Sequence, residues 1–250
     1  MDKSLAVVIM AAGKGTRMNN PSMAKVMYTV QDRPLVEWVV RLSGTMEAAR
    51  TVVIVGWQKD SVIAHLAAAA PGVICVEQNP QQGTGHAVMQ AEAPLRGFAG
   101  DVLVLSGDVP LLTAGTTQSL IATHRSSRAS ATVLTAILDD PTGYGRVLRN
   151  AAGRVTGIVE QKDATEEEKK VREINSGIYV FDAARLFEGL RHITPENAQK
   201  EYYLTDVFRY FWKNGHPVSA VAASDPVEIG GINTPEQLEE ARRVMAARPG

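Results

Sequence analysis

Four runs of the chain, LAVVIMA (5–11), TVVIVG (51–56), GVICVE (72–77) and DVLVLSG (101–107), are almost unbroken stretches of aliphatic and β-branched residues. A strand with one wet face alternates apolar and polar side chains, so a run without that alternation has to be covered on both faces. Helical patterns fill the gaps: PLVEWVVRL from Pro34, with the proline in a first turn, KDSVIAHLAAAA after Trp57, and GHAVMQAEA after Thr84. Alternating strands and helices imply right-handed βαβ crossovers. The expected fold is Rossmann-like α/β, a mixed but mainly parallel sheet flanked by helices.

From about residue 113 the texture changes. ASATVLTAIL, GRVLRN, GRVTGIVEQ and NSGIYVFD are shorter, more alternating and separated by glycines, as antiparallel or mixed additions to the sheet would be. Helices are expected at about 182–191, 201–213 and 234–247, the second of them carrying Tyr202 and Tyr203 as packing residues. No linker rich in proline, glycine and serine interrupts the chain, so residues 1–250 read as one domain with halves of about 1–112 and 113–250. EEEKK (166–170) reads as a solvated helix face with Glu166 and Lys170 spaced as an i, i+4 pair. Cys75, the only cysteine, excludes an intramolecular disulfide and reads as a buried small hydrophobe.

Charge excludes two classes of partner. Twenty-six basic residues against 27 acidic ones give a net charge of −1, no global field for nucleic acid or an anionic membrane, so any phosphate site has to be local. No apolar run approaches the roughly 20 residues that span a bilayer, and the apolar start ends in a glycine loop without a signal-peptide cleavage pattern. A cytoplasmic location is expected.

The candidate phosphate site follows the first buried strand. MAAGKGTRM (10–18) places glycines and two cations at a strand's carboxyl end, where backbone amides can form an anion nest. It lacks the spacing of a Walker A loop, and Met18 breaks a dinucleotide fingerprint. EQNPQQGTGHA (77–87) ends the third strand in Gln and Thr side chains suited to base edges, with Gly83 and Gly85 permitting close approach. LSGDVP (105–110) leaves Asp108 at the end of the fourth strand, a costly place for a carboxylate unless a cation meets it. Asn233, in EIGGINTPEQL, offers a neutral oxygen with which Asp108 could share one hard cation such as Mg²⁺. The histidines at 65, 86, 124, 192 and 216 include no i, i+4 pair that would suggest zinc.

Taken together and in order, MAAGKGTRM, AKVMY, QNPQQGTGHA, SGDVP, GYGRV, GIVEQKDA, INSGIYVF, EYYLTDVF and GGINTPEQL resemble the sugar nucleotidyltransferase family, above all the uridyltransferase (pyrophosphorylase) domains of bacterial N-acetylglucosamine-1-phosphate uridyltransferases. The resemblance covers residues 5 to about 240. It implies that the backbone of Ala11, Ala12 and Gly13 faces the nucleotide, that Gly15, Thr16 and Arg17 embrace the triphosphate, and that Lys25 sits on the phosphates being exchanged. Gln78, Gly83 and Thr84 match its uracil positions, Asp108 and Asn233 its Mg²⁺ ligands, and Gly145, Glu160 and Asn175 the positions that hold the amino sugar. The first half would then bind nucleotide and the second half sugar. One position departs from the family: Leu-Pro-Lys is usual before the catalytic lysine, and here the residues are Met23, Ala24 and Lys25. Losing proline frees a φ angle that the ring would fix, which would leave Lys25 less preorganised.

The implied reaction is attack by a sugar 1-phosphate oxygen on the α-phosphorus of UTP with departure of pyrophosphate. The nucleophile is already an anion, so no general base is required, and the task is positioning plus electrostatics. The partners implied are UTP and a sugar 1-phosphate, with Mg²⁺ as cofactor and Arg17 and Lys25 as the catalytic cations; no oligomeric state is implied. Two alternatives stay open, a uridylyl- or thymidylyltransferase for a different sugar 1-phosphate and a nucleotide-sugar-binding module without turnover. The six-residue periodicity of a left-handed β-helix is absent from the sequence, so acetyl transfer is not expected of it.

Overall fold

The computed structural model describes residues 3–18 and 20–248. Its nine-stranded sheet is built on β1 (Ser4–Ala11), which lies between β4 (Arg50–Val55) and β6 (Gly100–Ser106) and is parallel to both. β5 (Ile74–Glu77) extends the sheet beyond β4, again parallel. On the other side of β6 come β10 (Glu173–Asp182), β7 (Ala131–Ile137) and β11 (Val218–Ala222), with β10 antiparallel to both of its neighbours. A branch of β8 (Gly145–Arg149) and β9 (Val155–Val159) pairs through β8 to one end of β10. A two-residue hairpin, β2 (Thr29–Val30) with β3 (Arg33–Pro34), stands apart.

The apolar runs of β1, β4 and β6 are explained by two cores, one on each face, whereas β5, at the edge of the sheet, lacks the cover expected of it and leaves Ile74 exposed. Ala6 and Val8 of β1 pack with α3 (Thr84–Met89), α6 (Ala183–Leu190) and α7 (Asp206–Lys213), while Leu5, Val7 and Ile9 pack with α1 (Leu35–Gly44), α2 (Lys59–Ala69) and α4 (Ala114–Ser126). Successive residues of one strand serve opposite cores, as the pleat requires. Tyr179 and Phe181 of β10 meet Phe208 of α7 at centroid distances of 5.5 Å each, fixing that helix under the second half of the sheet. α8 (Pro235–Ala247) opens on a capping box at Thr234 and Gln237 and closes a third, smaller core. No described helix is long and apolar enough to cross a membrane.

Several expectations need correcting. α4 and β11 were not legible, because α4 is rich in Thr, Ser and Gln and shows only Thr117, Leu120, Ile121 and His124 as a buried stripe. Pro34 caps α1 from outside its first turn. The helix expected from 201 starts at Asp206, so EYYLT is loop, and Tyr202 and Tyr203 pack from there. In α5 (Glu166–Lys169) the ion pairs are Glu166 with Lys169 and Glu167 with Lys170, i, i+3 rather than i, i+4; the helix is a single turn, opened by a capping box at Thr165 and Glu168 and already ended at Lys170. Cys75 is half-buried, since β5 is an edge strand.

At the amino ends of the strands Asp101 is fully buried and accepts from Arg125 Nε at 2.9 Å, with Lys3 at 3.5 Å and His124 at 3.6 Å. Burial pushes its carboxyl up, but His124 and Arg125, helped by Lys3, outweigh this and hold it below the usual range. A depressed carboxyl stabilises the fold above the unfolded pKa, and that contribution is lost as pH falls through the folded one. Asp101→Asn should therefore cost roughly 1–3 kcal/mol at pH 7. In urea titrations the gap from wild type should shrink as pH falls below about 4; a gap constant from pH 7 to pH 3 would contradict this.

Candidate active site

The topology puts three strand ends side by side. The chain runs from β1 outward through β4 to β5 and then returns to the other flank of β1 as β6, so the strand order reverses beside β1, where open α/β sheets bind ligands. Register aligns the ends: Ala11 lies opposite Val55, Met10 opposite Ser106, and Val55 opposite Glu77. The MAAGKGTRM loop, Gln78 and Asp108 thus leave the sheet at one edge.

Ala11 and Ala12 are buried, while Gly13, Thr16 and Arg17 are exposed. A Cβ on Gly13 would meet nothing within 4 Å, so that backbone faces open space. Gly15 has φ +60, and a Cβ there would lie 2.5 Å from Lys25 Cβ. Glycine is needed at this point both for its conformation and to let the Lys25 stem pass. The Lys25 ammonium donates to the Asp108 carboxylate and, at 2.9 Å, to Asn233 Oδ1. It joins segments 83 and 208 residues away, and both pair partners are largely shielded from solvent. Ile232 N donates to Asp108 O at 2.9 Å, and Gly231 lies beside both side chains, the position of a Cβ there being 3.5 Å from Asp108 Oδ2 and from Asn233 Nδ2. The cation that the buried position of Asp108 demanded is here the lysine itself. As a donor set, one carboxylate and one amide oxygen turned toward the same ammonium fit Mg²⁺, which takes one or two protein oxygens and completes its shell from phosphate and water. No cluster of three or more His, Cys, Asp or Glu suited to a metal occurs among the described residues.

Ala24 answers the missing proline. Its φ is −64°, within the range a pyrrolidine ring would impose, and it is buried, with its carbonyl accepting from Met27 N at 2.9 Å. The backbone at Ala24 thus has the conformation that a proline there would have.

Gln78 is buried; its Nε2 donates to Gly83 O at 2.9 Å and meets His86 Nδ1 at 3.2 Å, leaving the carboxamide oxygen for a ligand. Burial holds the His86 imidazole below its usual pKa, which suits Nδ1 as the acceptor. Gly83, at φ +104, and Gly85 have no room for side chains because the 201–204 segment lies against them. Gly85 N donates to Tyr202 O at 2.7 Å and Leu204 N to Thr84 Oγ1 at 3.0 Å.

Gly145, Glu160 and Asn175 come together on β8, after β9 and on β10. Gly145 pairs with Asn175 across the sheet, and a Cβ on Gly145 would lie 3.3 Å from Glu160 Oε2 and 3.5 Å from Asn175 Cβ. Arg146, itself buried, donates to the carbonyls of Tyr144 and Lys169 and clamps that turn. Burial, aided by Asp163, Asp206 and Glu201, pushes the Glu160 carboxyl up despite a bond from Thr205. Sequence reasoning missed Thr205 and Tyr144. The Tyr144 phenol is pushed up by burial and by Asp108, while Arg17 opposes. Their signal was present in EYYLTD and GYGRV, but a hydroxyl with no charge has no pattern of its own.

A model of the MobA-like NTP transferase domain family matches residues 7–175. The bifunctional protein GlmU of Pelobacter propionicus is 45% identical over 246 residues, 98% of this chain and 53% of that protein. The protein of the same name from Pelotomaculum thermopropionicum is 46% identical over 244 residues, 98% and 52% respectively. The chain spans about half the length of these relatives. A UDP-glucose pyrophosphorylase solved with UDP-glucose superposes with a TM-score of 0.76 at 18% identity, covering 98% of this chain and 99% of that one. A putative glucose-1-phosphate thymidylyltransferase from Bacillus anthracis does so with 0.77 at 19%, covering 99% and 97%. At that identity the likeness concerns the fold, a mainly parallel α/β sheet with flanking helices.

Because the Ala24 backbone already has a proline-compatible φ, Ala24→Pro should raise unfolding free energy by about 0.4–1 kcal/mol by restricting the unfolded chain. Thermal or urea unfolding checks it, and a lowered midpoint would show that packing holds residue 24 in a way the ring cannot share.

Proposed function

Since the chain belongs to the MobA-like NTP transferase family, we propose that it is a nucleotidyltransferase joining UTP to N-acetylglucosamine 1-phosphate, with release of pyrophosphate. The observation that carries this is the convergence at one sheet edge of an exposed glycine loop, an ammonium shared by Asp108 and Asn233, a buried Gln78 with a spare oxygen, and the Gly145, Glu160 and Asn175 group. Residues 1–250 act as one unit in this proposal, the part to about 112 holding the nucleotide and the rest the sugar phosphate. The proposal carries with it a cytoplasmic location, where nucleoside triphosphates are held.

Each residue then has a task. The amides of Ala11 to Gly13 and the open side of the loop receive the triphosphate, with Arg17 adding charge. The Gln78 oxygen accepts from the N3–H that uracil has and cytosine lacks. Glu160 and Asn175 orient the sugar so that its phosphate oxygen approaches the α-phosphorus in line with the departing pyrophosphate. Asp108 and Asn233 would hold Mg²⁺, which when bound supplies the charge that lets a triphosphate lie beside the carboxylate. Lys25 then exchanges partners, leaving Asp108 for the phosphate oxygens on which negative charge builds. One ammonium cannot neutralise the carboxylate and serve the phosphates at once.

Pyrophosphate release should be fast with UTP and N-acetylglucosamine 1-phosphate and weak with CTP, ATP and GTP, since a buried group left unpaired discriminates strongly. Lys25→Ala and Arg17→Ala should each slow turnover by about 10²- to 10³-fold. For Arg17→Ala, an exposed site, the unfolding midpoint should barely move. Equal release from all four nucleotides would contradict the uracil assignment, and release from none would leave a binding module.

A further inference from the structure

Four threonines stand at helix N-caps. Thr113, Thr165 and Thr234 each use the side-chain oxygen as a cap, accepting from the backbone amides of Thr116, Glu168 and Gln237. Thr205, before α7, makes no such bond. It is buried, and its hydroxyl meets Glu160 Oε1 at 3.1 Å across 45 residues of sequence. Since a carboxylate only accepts, Thr205 is the donor. A residue type favoured at this position for capping thus has its hydroxyl turned away from the helix and onto a carboxylate.

We infer that Thr205 is a positioning residue for sugar recognition: by holding Oε1 of Glu160 it turns Oε2 toward Gly145 and Asn175, where the sugar hydroxyls would bind. This rests on the sugar site proposed above. The geometry fits at both oxygens, because Oε2 is the atom 3.3 Å from the Cβ position of Gly145. The segment that carries Thr205 is itself fixed. Tyr202 N donates to Gln82 O at 2.8 Å and Leu204 N to Thr84 Oγ1 at 3.0 Å, while Tyr203 OH donates to Asp163 Oδ2 at 3.1 Å. The same five residues therefore touch the loop proposed to read the base and the turn that carries Glu160. The groups around that carboxylate are Asp163 from its own turn, Glu201 and Asp206 from the Thr205 segment, and Tyr179 and Tyr203. Burial and three acidic neighbours oppose ionisation of Glu160, and the Thr205 hydroxyl acts against them in favour of its charged form.

The experiment compares Thr205→Val, which keeps shape and removes the hydroxyl, with Thr205→Ser, Glu160→Gln and the double variant Glu160→Gln/Thr205→Val, using UTP and N-acetylglucosamine 1-phosphate. Thr205→Val should raise KM for the sugar phosphate about tenfold, the scale of one charge-assisted hydrogen bond, with KM for UTP within about twofold. Thr205→Ser should restore it. Removing a donor to the carboxylate raises its pKa, so the acid limb of kcat/KM for the sugar phosphate should move to higher pH in Thr205→Val. The double variant should be little worse than Glu160→Gln, because Thr205 acts through Glu160. If Glu160→Gln raises KM for the sugar phosphate and Thr205→Val does not, or if the two effects add, the role of Thr205 is overturned while the sugar site stands. If Glu160→Gln leaves that KM unchanged, the sugar site falls and the inference with it. Should Thr205→Val fail to fold, Thr205→Ala gives the same readouts.

Discussion

The Lys25 ammonium, shared by Asp108 and Asn233, is the interaction on which the rest of this edge depends. A carboxylate at the end of a buried strand has to be met by positive charge. The lysine meets it, and in doing so brings the first loop, the end of β6 and the turn before α8 to one point. Gly15 makes the approach possible by clearing the lysine stem. The edge is thus assembled by charge and by the absence of a side chain at Gly15.

The sheet supplies the remaining precision. Because β1 has parallel neighbours on both flanks, its carboxyl end and those of β4, β5 and β6 fall in register, and short loops suffice to line up residues far apart in sequence. The second half reaches the same edge by another route. β10 runs antiparallel beside β6, its register breaks between Asn175 and Tyr179, and the aromatic packing of Tyr179 and Phe181 on α7 fixes the start of that helix close to Glu160. The segment from Glu201 to Thr205 then joins the two halves, its amides donating to Gln82 O and to the Thr84 hydroxyl on one side and its side chains meeting Glu160 and Asp163 on the other.

Much of this was legible in the sequence where one strong physical requirement acts alone. The four apolar runs demanded cover on both faces; β1, β4 and β6 have it in two separate cores, while the third run became the partly exposed edge strand β5. The cost of burying Asp108 demanded a cation nearby, and one is there, although the sequence offered no way to know that it would be Lys25. Legibility failed where requirements compete. Thr205 has the helix-capping chemistry of the other three threonine caps and a different partner, which only the tertiary contact with Glu160 decides. α4 escaped because its buried stripe includes Thr117 and His124 among few apolar residues, and the loop EYYLT because its tyrosines pack as a helix face would. The alanine before Lys25 nevertheless adopts a φ that a proline ring would impose.

The most direct measurement is a crystal structure with a non-hydrolysable UTP analogue and Mg²⁺. The exchange of partners at Lys25 predicts that Asp108 and Asn233 are found as metal ligands through their side-chain oxygens, with the Lys25 ammonium moved from Asp108 onto a phosphate oxygen. A nucleotide bound with Lys25 still paired to Asp108, or a metal held with neither Asp108 nor Asn233, would contradict it.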